Sequence, residues 1–204
     1  MSRAPVSVLL AQNTVIQKLY PDFLGQSLNA PDMRIVIQNI TAELIKAAKA
    51  RDKTLTNATL IPILRGGLPM YITAQEIFPK GPCLLVRCSK LKGTTEVAVD
   101  WFGRRPYPVQ PDDGHILLLD TVIASGDTLL RICDELFDTN GGVVKQVTVL
   151  SCYVSPNGLE VVSKHPIVKE IITGFVANGY DENGLLVPYP GDIGDKLYGS
   201  AKAV

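Results

Sequence analysis

The spacing of hydrophobic residues changes along the chain. Residues 1–28 carry no sustained period, and we predict a loosely ordered N-terminal segment there. From residue 29, apolar residues recur every three or four positions, as in a helix that covers a sheet with one face. Asn29-Ala30-Pro31-Asp32 suits the start of that helix, because Asn caps a first turn and Pro and Asp are favoured within it. We predict a helix to about Ala50 with one apolar stripe: Met33, Val36, Ile37, Ile40, Leu44, Ile45 and Ala48.

Short β-rich runs alternate with helical patterns beyond residue 58. This alternation is typical of βαβ units around a mostly parallel sheet. The predicted strands are Thr59–Leu64, Cys83–Cys88, Glu96–Phe102, His115–Leu119, Val144–Tyr153 and Ile167–Ile172. The predicted helices are Leu68–Phe78, Asp127–Phe137 and Pro156–Lys164. We therefore predict a single α/β domain over residues 1–204.

Two of these strands differ from the others. Ile116–Leu119 is apolar at every position, which indicates a strand covered on both faces at the centre of the sheet. Glu96–Phe102 is flanked by glycine and basic residues, so Lys90–Arg105 is predicted to be a projecting hairpin. Because such a hairpin exposes Trp101 and Phe102, we expect a homodimer to cover them.

Composition excludes several classes of protein. The 204 residues carry 20 Lys and Arg against 20 Asp and Glu, so no net charge attracts nucleic acid. The apolar runs are far shorter than the roughly 20 residues that span a bilayer, and the N-terminus lacks the pattern of a secretion signal. The cysteines form no Cys-x-x-Cys pair and suit buried thiols in a reducing compartment: Cys83, Cys88, Cys133 and Cys152. We expect a cytoplasmic protein that binds neither nucleic acid nor membranes.

The segment from His115 to Leu129 has the features of a phosphate-binding loop. A buried strand ends at Asp120, a turn of small residues follows, and a helix begins near Asp127. The free N–H groups of a helix N-terminus bind phosphate, and Gly126 lets the backbone approach a ligand closely. The alternative is an ordinary connection in which hydroxyl side chains only cap the helix. Neither G-x-x-x-x-G-K-[ST] nor G-x-G-x-x-G occurs here, which disfavours triphosphate and dinucleotide loops.

Three segments resemble ligand loops of one enzyme family. Residues 118–128, LLDTVIASGDT, resemble the phosphoribosyl pyrophosphate (PRPP) loop of type I phosphoribosyltransferases. Residues 61–68, IPILRGGL, resemble the pyrophosphate loop of the uracil enzymes, and residues 187–196, VPYPGDIGDK, resemble their uracil loop. Ser155-Pro-Asn-Gly-Leu, followed by His165-Pro166, also matches that subfamily. The resemblance runs from about Asn29 to Ser200, with the loops in family order.

The resemblance implies a fold and a reaction. The fold is the type I phosphoribosyltransferase fold, a mostly parallel twisted sheet flanked by helices, with a projecting β-hairpin and a C-terminal base-binding loop. The reaction transfers the 5-phosphoribosyl group from PRPP to a pyrimidine base, uracil first, and gives UMP and diphosphate for pyrimidine salvage. Such a reaction needs no protein nucleophile, because positioning and charge neutralisation suffice. Mg²⁺ is expected to arrive mainly through the diphosphate of PRPP, with no metal site built by the protein alone.

The resemblance also places residues at the PRPP site. Asp120 is expected to accept a hydrogen bond from a ribose hydroxyl, with Thr121 beside it where the uracil enzymes have proline. Arg65 and Gly66 are expected at the diphosphate, and Lys92 in the projecting hairpin is expected to close over it. The 5′-phosphate is expected against Ala124, Ser125, Gly126, Asp127 and Thr128. Asp127 replaces a glycine of the family, so its carboxylate must point away or lower the affinity for phosphate.

The base is expected against the C-terminal loop. Backbone groups of Leu186, Gly191 and Ile193 would bind the base, with Tyr189 beside it, and Asp192 would reach the ribose or, through water, Mg²⁺. By the same resemblance the catalytic residues are Arg65, Asp120 and Asp192.

Departures from the family pattern fall mainly where the base binds. Tyr189-Pro190 replaces Gly-Leu, Lys196 replaces arginine, and Gly93-Thr94 replaces an acidic pair in the hairpin. Two alternatives to uracil transfer therefore stay open: transfer to a different or modified acceptor, and a noncatalytic sensor of PRPP or nucleotides on the same fold.

Overall fold

The computed structural model describes residues 3–25, 27–90, 97–103, 115–139, 146–188 and 191–199. Within them the strands are β1 (Val6–Val8), β2 (Thr59–Leu64), β3 (Val86–Lys90), β4 (Val97–Trp101), β5 (Ile116–Ile123), β6 (Val147–Val154), β7 (Val168–Val176), β8 (Gly179–Tyr180) and β9 (Leu186–Val187). The helices are α1 (Thr14–Leu24), α2 (Ala30–Arg51), α3 (Leu68–Ile77), α4 (Asp127–Thr139), α5 (Pro156–Val162) and α6 (Ile193–Tyr198).

The main sheet has the order β1-β7-β6-β5-β2-β3-β4. Neighbouring strands are parallel except β3 and β4, an antiparallel hairpin at one edge. β5 lies in the middle, and Ile116–Leu119 is buried at every position, which confirms the predicted central strand. Helices α1, α2 and α3 cover one face of the sheet, and α4 and α5 cover the other. The carboxyl ends of β2 and β5 therefore lie side by side, the edge where open α/β sheets bind ligands.

Helix α2 begins and ends close to the prediction. Asn29 caps it, its Oδ1 accepting a hydrogen bond from the backbone N–H of Asp32 at 2.9 Å. All seven residues of the predicted apolar stripe are buried. The helical period therefore identified the face that packs on the sheet.

The prediction of a loosely ordered N-terminal segment is wrong. β1 pairs in parallel with β7, and Asn13 caps α1 by accepting from the N–H groups of Val15 and Ile16. Phe23 is fully buried, with its ring 5.9 Å from that of Tyr153 and 5.6 Å from that of Phe175. These contacts join residues far apart in the chain, so no local period reveals them.

The edge hairpin differs from the prediction in one respect. β3 and β4 pair antiparallel, and Phe102 is 55% exposed as expected. Trp101, however, packs against α4 of the same chain, and its Nε1 donates to Glu135 Oε2 at 2.8 Å. Cover for Trp101 therefore needs no second subunit, and the homodimer stays a prediction. Residues 91–96 and 104–114 lie outside the described chain.

Two further findings concern composition. Among the described residues no helix has the length and hydropathy to cross a membrane. The four cysteines are free thiols; Cys133 and Cys152 are buried as predicted, whereas Cys83 and Cys88 are only half-buried. Burial raises the pKa of Cys133 to about 12, so this thiol is protonated at neutral pH.

Candidate active site

A turn of three residues joins the central strand β5 to helix α4. Ala124-Ser125-Gly126 forms the turn, with Gly126 at φ +90°, a conformation that favours glycine. α4 then begins at Asp127, and the N–H of Leu130 donates to Gly126 O at 3.0 Å. The turn therefore faces the N-terminus of a helix of 13 residues, whose first N–H groups have no partner within the helix.

The start of α5 packs against this turn and is hydrogen-bonded to it. Ser155 Oγ donates to Ala124 O and accepts from Gly158 N at 2.8 Å, while Ser155 N donates to Ile123 O at 2.9 Å. A Cβ on Gly158 would lie 2.6 Å from Ala124 O, so only glycine permits this approach. These bonds to the start of α5 fix the backbone of the turn.

The turn forms one wall of a cleft of about 330 Å³. The cleft brings together these predicted site residues: Asp120, Ala124, Ser125, Gly126, Thr128 and Asp192. The β8–β9 hairpin also lines the cleft and contributes Tyr180, Asn183, Gly184 and Leu185. The sequence does not predict these four residues at the site, because only the packing of that hairpin brings them to the cleft. Thr128 and Ser125 supply hydroxyl groups on the phosphate-loop side.

Asp120, in β5, is one of the carboxylates that line the cleft. Burial raises the pKa of Asp120 to about 7, and hydrogen bonds from the N–H groups of Val122 and Thr121 partly oppose this shift. The carboxyl group therefore changes charge near neutral pH. A ligand that donates hydrogen bonds to it stabilises the charged form.

Thr121 does not face the cleft. Its side chain is fully buried, and its Oγ1 donates to Gly66 O at 2.7 Å. Neighbouring side chains of a strand point to opposite faces, and here Asp120 takes the cleft side. A contact between PRPP and the backbone of Thr121 stays a prediction.

Arg65 follows β2 and lies beside α6. Its Nη2 lies 2.6 Å from Asp195 Oδ1, and its Nη1 donates to Gly199 O at 2.9 Å. The preceding Leu64–Arg65 peptide bond is cis. A Cβ on Gly66 would lie 3.2 Å from Ile193 Cγ2 and 3.9 Å from Asp120 Oδ1. The predicted pyrophosphate and base loops therefore meet at the carboxylate of the PRPP loop.

Asp127 lies at the start of α4. Its Oδ2 accepts a hydrogen bond from Ser125 Oγ at 2.7 Å. The Ser125 hydroxyl, which is predicted to bind phosphate, thus donates its hydrogen bond to the carboxylate of Asp127. The expected effect of this carboxylate on the affinity for phosphate stays a prediction.

The C-terminal loop is anchored at several points. Tyr153 Oη donates to Pro188 O at 2.9 Å, and Lys196 Nζ donates to Gly25 O at 2.8 Å. Asp192 caps α6, accepting from Asp195 N at 2.9 Å. Leu186 is buried in β9 and Ile193 is nearly buried in α6, while Gly191 has φ +86°. Two predicted site residues, Tyr189 and Lys92, lie outside the described residues.

Two carboxylates, Asp120 and Asp192, line the cleft. Across the described ranges, no group of three or more His, Cys, Asp or Glu side chains is arranged to hold a metal ion. Two carboxylates suit a Mg²⁺ that is held chiefly by substrate phosphates.

Comparison with known proteins identifies the family. A family model described as uracil phosphoribosyltransferase matches residues 23–200. Protein urg2 of Schizosaccharomyces pombe, which carries the same family name, is 26% identical over 95% of this chain and 91% of its own length. Uracil phosphoribosyltransferase of Acinetobacter baylyi is 30% identical over 71% of this chain and 65% of its own length. The AQ2163 protein of Aquifex aeolicus shares the fold, with a TM-score of 0.81 at 21% identity, over 97% of this chain and 100% of that one. The chain belongs to the uracil phosphoribosyltransferase family and is a pentosyltransferase.

Proposed function

We propose that this enzyme transfers the phosphoribosyl group from PRPP to a pyrimidine base, with uracil as the leading acceptor, and releases diphosphate. The observation that carries the proposal is the cleft itself, which is lined by a turn before a helix N-terminus and by the carboxylate of Asp120 in the central strand. A helix N-terminus binds phosphate, and a carboxylate accepts hydrogen bonds from ribose hydroxyls. The family match supports the same reaction.

The donor would be held at three places. The 5′-phosphate binds the N–H groups of residues 125–128, and the ribose hydroxyls donate to Asp120. The diphosphate pairs with Arg65, whose planar guanidinium exchanges Asp195 for phosphate oxygens. The bond between ribose C1 and the diphosphate oxygen then breaks, and a base nitrogen bonds to C1 and gives up its proton to solvent, while charge on the departing diphosphate is neutralised.

Mg²⁺ would be held mainly by the diphosphate and ribose oxygens, with Asp192 and Asp120 as the neighbouring carboxylates. When bound, it supplies positive charge to the leaving diphosphate. The protein's own part is to hold both carboxylates in place, Asp120 in β5 and Asp192 as the cap of α6.

The acceptor would bind the C-terminal loop. Backbone groups of Leu186, Gly191 and Ile193 present fixed donors and acceptors to the edge of a planar base, so a base of different pattern leaves them unpaired. Tyr189-Pro190 stands where the family pattern has Gly-Leu, and this change favours a modified pyrimidine as the second candidate acceptor.

A panel of bases tests the proposal. Purified enzyme is incubated with PRPP and MgCl₂ and, in turn, uracil, substituted pyrimidines, cytosine, orotate, adenine and hypoxanthine. Diphosphate release is measured and the product identified by mass. Release with uracil and formation of UMP support the proposal, and release with a modified pyrimidine alone selects the second acceptor. Binding of PRPP with no turnover of any base contradicts the proposed transfer and favours a sensor.

A Tyr153→Phe substitution is expected to weaken base binding selectively. Burial raises the pKa of Tyr153 to about 12, so the hydroxyl is a neutral donor, and its loss leaves Pro188 O without that partner. We expect the KM for the base to rise about fivefold, the effect of one hydrogen bond, with the KM for PRPP unchanged. Steady-state kinetics with each substrate varied measures both. Tyr20→Phe, in the same aromatic cluster, is the control. An equal rise in both KM values would contradict a role specific to the base loop.

An Asp127→Asn substitution is expected to tighten PRPP binding. The change removes a negative charge beside the phosphate position but keeps the oxygen that accepts from Ser125 Oγ. Two unit negative charges about 5 Å apart repel each other by several kcal/mol at an effective dielectric near 20. Salt and solvent screen most of this repulsion, so we expect the variant to gain about three- to tenfold in affinity for PRPP. Calorimetric titration at low and high salt measures the gain, which should shrink with salt. Weaker binding by the variant would show that the carboxylate helps to hold the donor.

A further inference from the structure

Thr121 connects two of the loops from a fully buried position. Its hydroxyl donates to the backbone carbonyl of Gly66 at 2.7 Å, across 55 residues of sequence. Thr121 follows Asp120 directly in β5, and Gly66 follows Arg65 directly after β2. One side-chain hydrogen bond therefore joins the strand that carries the carboxylate to the turn that carries the guanidinium.

The carbonyl that accepts this bond belongs to the peptide unit between Gly66 and Gly67, and the N–H of the same unit is also hydrogen-bonded. The N–H of Gly67 donates to Ile63 O at 2.7 Å, and this N–H belongs to the same planar unit as the Gly66 carbonyl. A Cβ on Gly67 would lie 2.4 Å from Leu119 O, so this unit packs directly on β5. With both its N–H and its C=O bonded, the unit has one orientation, although two consecutive glycines have wide conformational freedom.

We propose that Thr121 is a positioning residue, which sets the diphosphate-binding turn relative to the ribose-binding carboxylate. The inference rests on the proposed function, since it assumes that diphosphate binds at Arg65 and Gly66. A group that aligns a leaving diphosphate with ribose C1 acts on the geometry of the reaction, in which small displacements have large effects. The family pattern has proline at this position, and proline has no hydroxyl that could donate this hydrogen bond to the turn. The bond therefore depends on the threonine of this chain.

Thr121→Val tests the proposal, because valine keeps the shape of threonine and removes the hydroxyl. Thr121→Ser keeps the hydroxyl. Thr173→Val is the matched control: Thr173 is also fully buried, and its Oγ1 donates to a backbone carbonyl, that of Phe175, at 3.0 Å. Each variant is titrated calorimetrically with PRPP, with diphosphate and with ribose 5-phosphate in the presence of MgCl₂, and its melting temperature is measured.

Thr121→Val is expected to bind PRPP and diphosphate about tenfold more weakly and to bind ribose 5-phosphate within about twofold of wild type. Thr121→Ser is expected to recover most of the diphosphate affinity. Thr173→Val should lower the melting temperature without changing diphosphate binding. If Thr121→Val does not fold, Thr121→Ala, which also lacks the hydroxyl, replaces it in the same titrations.

Three results would overturn the proposal. Unchanged diphosphate binding by Thr121→Val would show that the turn needs no such bond. An equal loss for ribose 5-phosphate would show that Thr121 supports the whole end of β5 and not the turn. Wild-type enzyme that binds neither PRPP nor diphosphate would contradict the proposed function itself, a result that differs from both of the others.

Discussion

An Asp120→Asn variant is expected to lose about 100-fold in kcat/KM for PRPP while becoming more stable at neutral pH. The loss in activity follows from replacing a charged acceptor of ribose hydroxyls with a neutral amide, worth about 2–3 kcal/mol in such hydrogen bonds. Asparagine has nearly the same shape as aspartate, so the cleft keeps its form. Steady-state kinetics with varied PRPP measures the loss.

The same substitution is expected to raise the free energy of unfolding, because burial raises the pKa of Asp120 from 3.8 to about 7 and so penalises its charged form in the folded state. Below about pH 4 the carboxyl is protonated in both the folded and the unfolded chain, so it has no effect on stability. Between about pH 4 and 7 the unfolded chain loses this proton first, and the folded state is penalised by up to about 4 kcal/mol above pH 7. The variant removes this penalty. Urea denaturation at pH 4 and at pH 8 measures it, and the gain should appear only at pH 8.

Glu170→Gln is the matched control for Asp120→Asn. Glu170 is buried in β7, and burial raises its pKa as well, but it lies outside the cleft. We expect this variant to gain stability at high pH and to keep its activity. If Asp120→Asn keeps full activity, or if both variants lose it equally, the carboxylate of Asp120 has no part in binding the donor.

A Gly126→Ala variant is expected to lose about 100-fold in PRPP affinity. Gly126 has φ +90°, which an alanine adopts only with strain, and the new Cβ would lie 3.0 Å from Val162 Cγ2 and 3.4 Å from Gly158 O. The turn must shift, and the N–H groups of the α4 N-terminus shift relative to the phosphate. A displacement of about 1 Å at such a site is enough for a loss of this size. Calorimetric titration with PRPP and MgCl₂ measures the affinity.

Gly103→Ala is the control for backbone strain alone. Gly103 has φ +99°, but a Cβ there would meet no atom within 4 Å, and the residue follows β4 at the sheet edge. Both alanine variants should lower the melting temperature, since both force a side chain into the left-handed region. Only Gly126→Ala should lose donor affinity. Equal PRPP affinity of Gly126→Ala and wild type would contradict phosphate binding at this turn.

The elements that position the site follow from local signals in the sequence. The all-apolar run Ile116–Leu119 identified the central strand because burial on both faces leaves no polar alternation. Gly126, placed between a strand and a helix, indicated the turn because glycine lets the backbone approach a ligand closely, and the structure adds a φ of +90° that few other residues accept. The central strand and the turn each depend on residues that are adjacent in the chain, so the sequence alone predicts both.

The features that the sequence did not predict depend on distant contacts. α1 is stabilised by the ring contacts of Phe23 with Tyr153 and Phe175, which join three separate elements. The direction of the Thr121 side chain depends on how β5 lies against the turn after β2. The place of Tyr180 in the cleft wall depends on the fold of the β8–β9 hairpin. A motif records the position of Thr121 in the chain and not the direction of its side chain, so the resemblance could not predict the bond to Gly66 O.

The central claim is that one cleft, at the carboxyl end of β5, holds the phosphoribosyl donor. A crystal structure with PRPP and Mg²⁺ tests it most directly. We predict density for the 5′-phosphate at the N–H groups of residues 125–128, ribose hydroxyls within hydrogen-bond distance of Asp120, and diphosphate at Arg65 in place of the Asp195 carboxylate. Donor density at another position, or a cleft empty at saturating PRPP with Arg65 still paired to Asp195, would contradict the claim.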